Sequence, residues 1–117
     1  MEELIHTEEK IFVFIINTIS FLKTLKKRGL TNERTEQLAS LIAVLNDLYG
    51  KSADIKYIEQ RIELWRIGLE AFKKIHLLLM NLHYSDYDLV NEKADLQIEA
   101  SQLKDKLSKI IQNTDKH

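Results

Sequence analysis

Apolar residues recur along this chain at helical spacing, in four long runs separated by short breaks. The first run is Leu4, Ile11, Phe12, Phe14, Ile15, Ile16, Ile19, Phe21, Leu22 and Leu25. The second is Leu38, Leu41, Ile42, Leu45, Leu48 and Tyr49. The third is Ile55, Ile58, Ile62, Trp65, Leu69, Phe72, His76 and Leu79. The fourth is Leu89, Leu96, Ala100, Leu103, Leu107 and Ile110, with Lys93 as its one break. The third run alternates three and four throughout, the pattern of bundle or coiled-coil packing.

The breaks agree. Acidic Glu2, Glu3, Glu8 and Glu9 lie early in helix one, and Lys23, Lys26, Lys27 and Arg28 lie late, which complements the helix dipole. Gly29 then offers a left-handed stop, and Thr31 is the expected N-cap of helix two. Gly50 is expected to end that helix, and Ser52 to cap the third. Ser85 with Asp88 resembles a capping box, and Tyr84 with Leu89 a hydrophobic staple. The expected helices span residues 2–28, 32–49, 53–82 and 86–112, followed by a polar tail from Asn113 to His117 that frays.

Short connections between long helices force antiparallel neighbours. The predicted fold is therefore all-α: a single-domain antiparallel four-helix up-and-down bundle. The segment Ile11 to Ile16 is rich in strand-forming residues, but nothing else in the chain offers it a partner strand, so it is assigned to helix one.

Composition supports this picture and narrows the function. The 117 residues contain no proline, no cysteine and three glycines. Without cysteine there is no disulfide, no thiolate metal site and no thiol nucleophile, which fits a reducing cytoplasm. Seventeen basic and eighteen acidic residues leave a net charge of −1, so no global field drives the chain onto nucleic acid or an anionic membrane. Glu2 and Glu3 are the wrong charge for a signal peptide, and the apolar stretch from Ile11 to Leu22 is too short for a membrane span.

The candidate chemistry is thin. A diiron bundle needs Glu-x-x-His on two helices, and only Glu3 and His6 match, since Lys73 stands before His76. His76 and His83, seven apart on the helix-three seam, read as core or boundary histidines, with a pH-sensitive contact or an intersubunit ligand pair as the alternative. No phosphate-binding glycine loop or nucleophile–base pair is spaced for catalysis. No enzyme activity, metal or cofactor is therefore expected. Gly68 sits inside helix three, three residues after Trp65, and reads as a place where a neighbouring group of the same bundle comes close. A notch for an outside partner is the alternative.

Two features point outward. Helix one is apolar over an arc of roughly 220°, where a bundle helix needs little more than about 100°. The surplus is expected at a subunit interface formed by Val13, Phe14 and Phe21. Phe14→Glu with Phe21→Glu would then dissolve an oligomer and leave the helices intact. The cluster Lys23, Lys26, Lys27 and Arg28, with Arg34 beyond the turn, offers a phosphate-contacting edge.

Leu64-Trp65-Arg66 on helix three and the Tyr87-led last helix give the chain a layout similar to the four-helix-bundle accessory proteins of diversity-generating retroelements and their ribosomal intervening-sequence relatives. Members of that group carry a Phe-Pro after helix one, which is absent here. Leu30 to Tyr49, the preceding Phe21 to Lys27, and Trp65 to Ala71 resemble the small helical subunit of type III CRISPR complexes. Both resemblances imply a non-catalytic subunit of an RNA-handling assembly. The leading expectation is a non-enzymatic homo-oligomeric interaction module; the alternative is an RNA- or DNA-associated accessory subunit using the basic edge.

Overall fold

A computed structural model describes residues 1–115. Its four helices are α1 (Glu2–Lys27), α2 (Glu33–Ser52), α3 (Ile58–Met80) and α4 (Tyr87–Asp115). Each packs against its neighbours in sequence, and α4 closes the ring against α1. This is the predicted four-helix bundle, 47 Å long and about half as wide. Lys116 and His117 lie outside the described residues; Asn113 to Asp115, expected to fray, are still helical.

The α1–α2 turn is built as its sequence indicates. Gly29 takes φ +69°. The Leu30 amide donates to the Leu25 carbonyl at 2.9 Å and the Gly29 amide to that of Lys26 at 3.1 Å, a pairing that satisfies the last carbonyls of α1. The cap of α2 is Asn32 rather than Thr31. Its Oδ1 accepts from the Thr35 amide at 2.9 Å, while Thr35 Oγ1 accepts from the Asn32 amide at 2.8 Å. The reciprocal pair satisfies two orphan donors, which a lone Thr31 hydroxyl cannot do.

The second turn departs from expectation. Gly50 does not end α2, because its backbone stays helical with no positive φ. Ser52 belongs to α2, donating its hydroxyl to the Tyr49 carbonyl at 2.8 Å, and Tyr57 precedes α3 without a side-chain cap. At the third turn the cap is Asp86, whose Oδ1 accepts from the Asp88 and Leu89 amides. Those donors, the Leu89 amide first and Arg28 among the others, hold the Asp86 carboxyl below its usual pKa.

The seams of α2 and α4 are buried largely as the spacing predicts. In α3 the seam turns by one position after Trp65. Gly68 and Ile75 are buried, whereas Leu69 and His76 are half-buried. On α1 the core takes Leu4, Ile11, Phe14, Ile15, Phe21 and Leu25. Two threonines in that seam satisfy themselves locally, Thr18 to the Phe14 carbonyl at 2.8 Å and Thr7 to that of Glu3 at 2.9 Å. Large rings reach across the core: Phe14 meets Phe72 at 5.6 Å between centroids, and Phe21 meets Tyr84 edge-on at 5.9 Å.

Gly68 is explained from within. A Cβ placed there would stand 2.5 Å from Trp65 Cε3. The indole is fully buried and cannot swing aside. Gly68→Ala is therefore expected to lower stability by about 1–3 kcal/mol, although alanine is the better helix former. A urea midpoint equal to or above the parent's would show that the indole has room to move.

Candidate association surface

Helix α1 carries more apolar residues than the core accepts. Ile5, Phe12, Ile16 and Ile19 are 41, 39, 49 and 37% exposed and share one face. They lie at spacings of seven, four and three, so they stack along the helix. Phe12 is held on that face by Tyr49 of α2, the two rings stacked at 5.0 Å. The stripe therefore runs beside the α1–α2 seam, on the side away from α4.

The surplus expected from the sequence is present, but on other residues. Phe14 and Phe21 are 0 and 1% exposed and belong to the core. The physical reason is positional. They project between α1 and the α3–α4 side of the bundle, where Phe72 and Tyr84 complete their packing. Neither leaves the bundle to meet another subunit. Val13 does reach the surface, at 54% exposure, three residues from Ile16 on the side of the stripe nearer α4.

Val13 lines a groove between α1 and α4 of about 730 Å³, with Leu103 at its floor. Lys10 and Lys106 meet there, and that contact holds the Lys10 ammonium below its usual pKa. Burial pushes Glu99 in the same groove above its usual pKa, opposed by a hydrogen bond from Asn17.

The basic edge is exposed at the α1–α2 turn, but part of it is already engaged. Arg28 pairs with Asp86 at 3.2 Å, and Arg34 donates to the Asn81 carbonyl at 3.3 Å. These contacts tie the α1–α2 and α3–α4 turns together at one end of the bundle. Lys23, Lys26 and Lys27 stay exposed. His76 is half-buried, as a boundary histidine would be, whereas His83 is exposed.

Sequence reasoning missed the most structured polar group in the molecule. Glu8 is 3% exposed. Its Oε1 accepts from Arg61 Nη2 at 2.5 Å, and its Oε2 accepts from Trp65 Nε1 at 2.8 Å and Arg61 Nε at 3.3 Å. Arg61 Nη1 also donates to the Ile55 carbonyl at 3.4 Å, pinning the α2–α3 connection. The signal was in the pattern: Leu4, Glu8, Ile11, Ile15, Thr18, Leu22 and Leu25 form an unbroken seam of fours and threes, with a carboxylate inside it. A charge at such a position needs a buried partner.

No protein-family model matches the chain, and no curated protein or solved structure matches it either. Among the described residues, no helix is long and apolar enough to cross a membrane.

Proposed function

We propose that this protein is a non-catalytic assembly module that associates with its own kind through the exposed apolar face of α1. The observation that carries this reading is the stripe Ile5, Phe12, Ile16 and Ile19, four large apolar side chains stacked on one face with no helix of the bundle covering them. Scattered exposed apolar residues need no explanation; a stacked row does. The network at Glu8 supports a non-catalytic role, because its carboxylate is spent on Arg61 and Trp65 and shut away from solvent. The sequence resemblances to accessory subunits of RNA-handling assemblies point the same way.

The nucleic-acid reading has less support, since two of its five basic residues are committed to contacts within the fold. Light scattering tests association directly. The parent chain, 13.7 kDa as a monomer, is expected to run as a dimer or larger at high micromolar concentration. Ile16→Glu with Ile19→Glu is expected to raise the dissociation constant more than about 100-fold while the helical circular dichroism stays unchanged. A parent that is cleanly monomeric at that concentration removes the proposal.

A further inference from the structure

Two more features of the α1 stripe bear on how copies would meet. With its charged positions included, the stripe reads as a second seam, Ile5, Glu9, Phe12, Ile16, Ile19, Lys23 and Lys26, with Glu9 at its edge where it also lines the groove against α4. The spacings alternate four and three throughout, and all seven residues are exposed. Glu9 lies toward the N-terminal end, Lys23 and Lys26 lie at the C-terminal end, and Phe12, Ile16 and Ile19 lie between them, with Ile5 beyond Glu9.

The charges are balanced about the seam's centre. Glu9 and Lys23 each stand seven residues from Ile16, while Phe12 stands four before it and Ile19 three after it. Resting on the association reading above, we infer that the occupant of this face is a second copy of the chain, with its α1 antiparallel and the two-fold axis at Ile16. Ile16 then packs on Ile16 of the second copy, and Phe12 lies within one residue of Ile19. Glu9 faces Lys23 at both ends. A parallel pairing would put Glu9 against Glu9 and Lys23 against Lys23, like charges inside a seam that is losing its water. A two-fold interface meets itself with the same patch, which is what a self-complementary seam requires.

The neighbouring helix leaves room for this. Beside Tyr49, the face of α2 turned toward α1 carries Ala39, Ala43, Asn46 and Gly50, again spaced by four and three and all exposed. A Cβ on Gly50 would meet nothing within 4 Å, so neither the packing nor the backbone of the monomer calls for a glycine there. Small side chains flanking an apolar seam let a second helix pair approach closely. No counter-ion within the chain claims Lys23 among the described residues, and the contact between Glu9 and His6 is an exposed one at 3.9 Å.

The absence of cysteine makes the test clean. Oxidation of Ile16→Cys is expected to give a covalent dimer. Glu9→Cys alone and Lys23→Cys alone are expected to stay uncrosslinked, whereas their mixture forms the mixed dimer. Charge reversal gives a second readout without oxidation. Glu9→Lys or Lys23→Glu is expected to weaken the dimer about tenfold, and the two together to restore it. Self-crosslinking of Glu9→Cys and of Lys23→Cys, with no mixed product, overturns the antiparallel register and leaves the association reading standing. A dimer that none of these variants crosslinks or weakens overturns the assigned face. A monomeric parent overturns both inferences together.

Discussion

Phe14→Glu unfolds this protein, and Phe21→Glu does the same. Truncating a buried phenylalanine costs about 3–5 kcal/mol, and a carboxylate left in its place adds a desolvation cost of several more. A domain of this size has only about 5–15 kcal/mol to lose. Both rings are enclosed, with Phe72 against one and Tyr84 against the other, so neither glutamate has a route to water. The expected result is collapse of the cooperative urea transition and loss of most of the helical circular dichroism at neutral pH. A folded Phe14→Glu monomer would instead restore Phe14 to the surface and refute the core described above. The contrast with Ile16→Glu is the informative part. Two residues further along the same helix, the same substitution is expected to leave the fold alone.

The second large effect is at Glu8. Removing its carboxylate strands the Arg61 guanidinium, whose side chain is 13% exposed, and leaves the Trp65 ring nitrogen without its acceptor. Glu8→Ala is expected to lower stability by about 3–5 kcal/mol, the range for breaking one side of a buried ion pair. Glu8→Gln keeps an oxygen for Trp65 and gives up only the charge, so it is expected to cost less. Replacing the pair by Glu8→Met with Arg61→Met is expected to cost clearly less than the sum of the single changes, because no charge is then left buried. Urea midpoints for the four proteins complete the cycle. Additive single and double effects would mean that the two groups are independently solvated and that the network does not exist in solution.

This network also explains how the bundle is held across its diagonal. Helices α1 and α3 are not neighbours in the ring, yet Glu8 reaches both Arg61 and Trp65 on α3. Because Arg61 extends onward to the Ile55 carbonyl, one residue of α1 organises the start of α3 and the connection before it. Gly68 is part of the same arrangement, since it makes room for the indole that Glu8 anchors.

Several local features were legible in the chain because they depend on neighbours only a few residues away. Gly29 ends α1 since glycine alone accepts a positive φ without cost, and that is visible from its place after a lysine-rich turn. The caps were harder. Thr31 and Asn32 are both good capping residues, and the choice fell to Asn32 because Thr35 stands at the position that answers it. Gly50 shows the opposite limit. A glycine near a helix end looks like a stop, but nothing local forces a positive φ, and the helix runs on to Ser52.

The sequence by itself determined four helices, their order and the antiparallel ring, because periodicity and short connections are local properties of a chain. It also determined that α1 has more apolar surface than one bundle absorbs. What it left open was which part of that surface lies inside. A helix apolar over most of its circumference buries several faces equally well, so its own pattern does not choose among them. Packing against α2 and α4, with Phe72 and Trp65 arriving from across the core, put Phe14, Phe21 and even Glu8 inside and left Ile5, Phe12, Ile16 and Ile19 facing out. That choice belongs to the tertiary structure, since a side chain is buried only when something else covers it.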